Sequence, residues 1–222
     1  MPREKFEHDL QRLKDEILTL GAMAERSVTE SVQALKRRDI AKAQAIMDED
    51  RLVNEKRYAI ENETLTVIAT QQPMAGDLRT LAAILEIATE LERIADYAKG
   101  IAHVTLMLGE EILIKPLEDV PRMAERACDM LHRALDAFMR QDVEEARSIP
   151  QEDNIVDSLY EKTYRELIRF METDPRSTEQ ANRLTWVAHN LERVADRVGN
   201  ICERVVFSIT GRGEELDGPL PR

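Results

Sequence analysis

Two short segments of the chain carry the same acidic pair. Glu92 and Asp96 stand four residues apart in Leu91-Glu92-Arg93-Ile94-Ala95-Asp96, and Glu192 and Asp196 stand four apart in Leu191-Glu192-Arg193-Val194-Ala195-Asp196. On an α-helix that spacing projects both carboxylates from one face. Two like charges one turn apart oppose the helix by about 0.2–0.5 kcal/mol, and a bound cation would offset the repulsion. More oxygen donors lie upstream of each pair: Asp50 and Asn54 before the first, Asp153 and Asp157 before the second, again four apart. If each upstream helix lies beside its motif helix, every half of the chain presents four oxygen-bearing side chains together. Such a set suits hard or borderline cations, Mg²⁺, Mn²⁺, Ca²⁺, Fe or Zn. Asn54 offers only a neutral carbonyl oxygen, so the first set carries one negative charge fewer than the second.

The neighbours of the acidic pairs are small. Ala88, Ala95 and Gly100 flank the first, and Ala188, Ala195 and Gly199 the second, so another helix or a metal can come close. A lone Glu-x-x-x-Asp ordinarily marks a solvated helix face, with Arg93 or Arg193 screening it. Its recurrence in matched Leu-Glu-Arg frames, with acidic partners one helix upstream, favours a metal face instead. The catalytic alternative is a carboxylate-bridged metalloenzyme on a helical-bundle scaffold. Di-iron bundle sites use Glu-x-x-His pairs, whereas here His189 precedes Glu192 in the reverse order and Thr89 holds the repeat position. His8, His103 and His132 have no ligand spacing and read as surface histidines. No P-loop, Ser-His-Asp pattern or dinucleotide glycine fingerprint accompanies them, and a non-enzymatic role is expected.

Helices must position these residues. Phe6, Leu10, Leu13, Ile17, Leu20, Ala24, Val28 and Leu35 form one stripe at helical spacing. Asp39 is a suitable N-cap for a second helix reaching about Thr70. After Gln72-Pro73, a third helix carries Leu78, Leu81, Leu85, Ala88, Leu91, Ala95 and Ala98 to about Leu108. The segment from Gly109 to Pro121, with two prolines, is the expected module boundary. A fourth helix turns Met123, Ala127, Met130, Ala134, Ala137 and Phe138 inward. A fifth begins after Asp142 and is interrupted by Pro150, its main body covering about residues 151–171. A sixth, from about Pro175 to Thr210, carries the second motif. The expectation is an all-α fold of two tandem three-helix bundles related by an internal pseudo-twofold repeat, with modules at 1–112 and 113–211 and a disordered tail at 212–222.

Composition narrows the partners. A net charge of −12 argues against nucleic acid, which needs a basic face. Lys36-Arg37-Arg38 reads as a solvated helix end. With 4% aromatic residues and nine methionines, the core must be aliphatic with adaptable filler. Cys128 and Cys202 share no metal or redox spacing and read as buried thiols in a reducing compartment. The N-terminal residues lack a signal-peptide core, and no apolar run is long enough to span a bilayer. A cytoplasmic location is expected, without direct membrane insertion.

Across nearly its whole length the chain resembles the PhoU family. The matching pieces are Gln72-Pro73-Met74-Ala75-Gly76-Asp77-Leu78-Arg79, the two Leu-Glu-Arg-x-Ala-Asp segments, and Asn200-Ile201-Cys202-Glu203. The resemblance implies a pair of three-helix bundles whose surface acidic motifs bind metal, in some members as multinuclear clusters. By position it implies Glu92, Asp96, Glu192 and Asp196 as the first ligand candidates, then Asp50, Asn54, Asp153 and Asp157. It also implies a regulator that couples the phosphate ABC transporter to its sensor histidine kinase and represses the starvation response when phosphate is plentiful. The implied partners are the transporter's ATPase subunit and the kinase, and the implied assembly is a homodimer.

Overall fold

The computed structural model describes residues 2–216. Seven α-helices occupy them: α1 (Pro2–Arg37), α2 (Ile40–Gln71), α3 (Ala75–Leu108), α4 (Asp119–Arg140), α5 (Val143–Ser148), α6 (Asp153–Thr173) and α7 (Thr178–Thr210). Short 3-10 turns at Ile149–Glu152 and Pro175–Ser177 precede α6 and α7. No strand occurs among the described residues. The first bundle is α1–α3 and the second is α4–α7, so the expected all-α tandem repeat is the observed fold.

Local chemistry sets the breaks. The Asp39 carboxylate accepts a hydrogen bond from the Lys42 N–H at 2.9 Å and caps α2. Gln72 closes α2 in the left-handed region at φ 48°, and Pro73 prevents continuation. Asp142 caps α5 by accepting from the Glu145 N–H at 3.0 Å. Pro150, lacking an N–H, stops α5 after one and a half turns, and the chain passes through a 3-10 segment before α6 resumes at Asp153. Arg133 of α4 pins that irregular stretch, reaching Glu145 at 2.8 Å and Glu152 at 2.6 Å. Pro121 falls within the first turn of α4 rather than before it, where its missing N–H costs nothing.

The connection 109–118 is held by Gln180, which is 8% exposed. Its amide donates to Ile112 O at 3.1 Å, and its carbonyl oxygen accepts from the Ile114 N–H. Residues 212–216 lie along the second bundle: Arg147 grips Glu214 at 2.9 Å, and the Leu216 N–H donates to Glu203 at 3.2 Å. These contacts depart from the disordered tail expected from 212 onward; the remainder of that tail, 217–222, lies outside the described residues.

The α1 stripe is buried as expected, with Leu13, Ile17, Leu20, Ala24 and Val28 fully enclosed. In α3 the expected stripe is too narrow. Ala83, Ile84, Ile87, Ile94 and Ile101 are buried too, while Leu78 at the first turn is exposed. The reason is position: α3 packs against α1, α2 and α7, so one stripe cannot serve all its neighbours.

The two bundles meet along α3 and α7, with α1 against α4. The contact is antiparallel and shows the internal twofold directly. A Cβ on Gly100 would lie 2.7 Å from Asn190 Nδ2, and Asn200 Nδ2 donates to Glu90 Oε2 at 3.2 Å. Positions 100 and 190 exchange with 200 and 90 under the 100-residue repeat, as a twofold axis between α3 and α7 requires.

Candidate metal-binding faces

Each repeated motif divides cleanly into core and surface. Leu91, Ile94 and Ala95 are buried, as are Leu191, Val194 and Ala195. The remaining three positions, Glu, Arg and Asp, turn outward. Ala88 and Ala188 are also buried. The small residues around the motif therefore serve helix packing, as Gly100 does against Asn190, rather than opening the acidic face.

In the first module, α2 lies against α3 and brings Asp50 to Glu92 and Asp96. Partial burial raises the Glu92 pKa, and the charges of Asp96 and Asp50 raise it further. Partial burial and the charge of Asp50 raise Asp96 in the same way. Asn54 is spent locally: its amide donates to Asp50 O at 3.1 Å and to Asp50 Oδ2 at 3.2 Å. The four expected residues thus share one face, joined by cations that the spacing did not single out. Lys99 Nζ lies 2.6 Å from Asp50 Oδ2 and feels Asp96 and Glu92 as well. Arg57 stands close enough to lower Glu92, while pairing with Glu61 at 2.8 Å.

The second module is built alike from α6 and α7. Burial, Asp196 and, more weakly, Asp157 push Glu192 up to about 7. No hydrogen bond reaches its buried Oε2, although His189 Nδ1 is 3.4 Å away. Asp157 is raised by burial and by Glu161. Arg193 pairs with Asp196 at 2.6 Å and donates across the module boundary to Tyr97. The Tyr160 phenol sits within the field of Glu192. Asp153 opens α6 one turn before Asp157.

Among the described residues, no three His, Cys, Asp or Glu side chains form a ready-made ion cage. The faces are crowded carboxylate surfaces that a cation would have to draw together. A separate cleft lies between Lys115, Glu166, Arg169 and Phe170. His132 stands 3.6 Å from Glu25, His8 stands 3.9 Å from Asp9, and His103 is exposed. Burial pushes Cys128 up to about 11 and Cys202 to about 12, which keeps both thiols protonated near neutral pH.

Fold and faces together define an all-helical tandem-repeat protein with two symmetry-related acidic surfaces. Similarity to known proteins narrows that class. The PhoU domain family model matches residues 17–105 and 120–205, once in each bundle. The chain is 33% identical over 218 residues to the phosphate-specific transport system accessory protein PhoU homolog of Clostridium acetobutylicum, spanning 98% of this chain and all of that one. It is 32% identical to the PhoU accessory protein of Escherichia coli K12, over 96% of this chain and 91% of that one. The crystal structure of PhoU from Pseudomonas aeruginosa superposes with a TM-score of 0.88 at 32% identity, covering 93% of this chain and 100% of that one. The phosphate transport system regulatory protein PhoU from Streptococcus pneumoniae gives 0.88 at 31% identity, covering 94% and 99%. The chain belongs to the PhoU family.

Lys99 and Arg57 were not singled out by spacing. The signal was available in the repeat itself. At the 100-residue offset Lys99 stands against Gly199, and at the 103-residue offset that joins Asp50 to Asp153, Arg57 stands against Tyr160.

Proposed function

We propose that this protein regulates phosphate uptake as a cytoplasmic, non-catalytic adaptor. It would link the phosphate ABC transporter's ATPase subunit to the sensor histidine kinase and hold the starvation response down when phosphate is plentiful. The observation that carries this reading is family membership across both bundles. Relatives at 32–33% identity over nearly the whole chain are named accessory proteins of the phosphate-specific transport system. No helix among the described residues is long and apolar enough to cross a membrane, so contact with the transporter would run through protein surfaces. A homodimer is part of the same proposal.

Metal binding is proposed for the acidic faces, and the residues present fit it unequally. In the second module Glu192, Asp196, Asp157 and Asp153 supply hard oxygen donors, and Glu192 Oε2 is buried without a hydrogen bond. A divalent or trivalent ion there would relieve the repulsion among the carboxylates and fix α6 against α7. In the first module Glu92, Asp96, Asp50 and Asn54 are the corresponding donors. The ion's role would be to shape a docking surface, with Fe, Zn, Mn, Mg or Ca all compatible with the donors.

Capture of the transporter ATPase and of the kinase's cytoplasmic part on the immobilised full chain, at high and low phosphate, tests the adaptor reading. Retention of both that changes with phosphate is expected. Failure to retain either one sinks it. Steady turnover of a phosphoester or redox substrate by the metal-loaded protein would instead favour an enzyme.

A further inference from the structure

We infer that the two acidic faces are unequal, and that Lys99 and Arg57 are tethered counter-ions that keep the first face from taking a divalent metal as tightly as the second. The inference rests on the metal reading above and specifies where the metal goes.

The first face carries three carboxylates: Asp50, Glu92 and Asp96. Lys99 reaches across from α3 to α2, 2.6 Å from Asp50, and interacts with all three. Asp50 is the most enclosed of the donors there, its side chain 10% exposed, so the ammonium holds the inner carboxylate. Arg57, with a side chain 17% exposed and paired with Glu61 at 2.8 Å, places further positive charge within the field of Glu92. The internal repeat places Gly199 and Tyr160 at the corresponding positions of the second face. That face brings Asp157 and Asp196 to Glu192, with Asp153 one turn before Asp157 on α6. Its nearest guanidinium, Arg193, pairs with Asp196 and turns toward Tyr97 of the other bundle. It does not bridge α6 to α7 as Lys99 bridges α2 to α3.

A divalent cation entering the first face must displace the Lys99 ammonium from Asp50 and accept the field of Arg57. Entering the second, it meets a larger negative charge and the Glu192 Oε2 oxygen, which accepts no hydrogen bond and has His189 Nδ1 3.4 Å away. A tethered cation competes with a free one at every metal concentration, because it cannot diffuse away. The duplication has thus left one face partly neutralised by its own cations and one with fewer of them.

Titration of the metal-free full chain with Mn²⁺, followed by calorimetry and by the free-Mn²⁺ electron paramagnetic resonance signal, tests this. Wild type is expected to show a tight phase and a weaker one. Glu92→Gln/Asp96→Asn should keep the tight phase, and Glu192→Gln/Asp196→Asn should lose it. Arg57→Tyr/Lys99→Gly should tighten the weak phase by about tenfold or more, since a unit charge at ~4 Å in a partly buried setting exceeds that effect. Lys99→Arg, which keeps the charge, should retain the wild-type pattern. Two equivalent phases in wild type, or loss of the tight phase in the first-face pair, overturn the inequality alone. No Mn²⁺ binding in any of these proteins overturns both the inequality and the metal reading.

Discussion

Lys99 Nζ lies 2.6 Å from Asp50 Oδ2, so a lysine of α3 closes the first acidic face onto α2. The same position in the second module is glycine. The pair joins two helices through a largely enclosed carboxylate, and removing one partner leaves the other charge uncompensated.

Lys99→Met should therefore destabilise the metal-free protein by about 1 kcal/mol, at the upper end for a partly exposed pair. Asp50→Asn in the same background should recover most of that loss. Chemical denaturation of both proteins in chelator measures it, and additive losses would show that the pair is not coupled.

Glu192 should make the metal-free protein less stable as pH rises. Its folded-state pKa of about 7 lies above the usual 4.5, so the folded chain keeps a proton that the unfolded chain has lost. Stability is unaffected below about 4.5, falls from there to about 7, and levels off above. Glu192→Gln should raise the melting temperature at pH 8 in chelator, with the gain vanishing near pH 4. A gain that grows toward acid pH would contradict the assignment.

Leu91 and Leu191 are buried in the two copies of the motif. Leu91→Ala and Leu191→Ala should each cost about 2–5 kcal/mol, whereas Arg93→Ala, on an exposed position, should cost within about 0.5 kcal/mol. Urea unfolding of the three proteins checks the division of the motif into packing and surface halves.

Gln180 holds the inter-module connection through Ile112 and Ile114. Gln180→Ala should speed hydrogen exchange at the Ile114 amide by about tenfold, as expected for loss of roughly 1–1.5 kcal/mol of protection. Exchange in the core of α3 should be unchanged. A uniform acceleration would mean that the variant loosens the whole fold.

The sequence by itself determined the helices, their order and the duplication. Apolar spacing marks the buried stripe of α1, Asp39 and Asp142 cap where a free oxygen meets an open N–H, and Pro73 and Pro150 break where an N–H is missing. It also marked carboxylates that share a helix face, because a four-residue spacing fixes side-chain direction within one helix. Tertiary structure decided the rest. It buried α3 on several sides, turned the alanines of the motif into the core, and gave Asn54 to Asp50. It brought Lys99 onto an acid 49 residues away and left Glu192 Oε2 without a hydrogen bond. Periodicity reports which way a residue faces from its own helix; which charge waits opposite depends on how two helices are set side by side, and only the packed bundle fixes that.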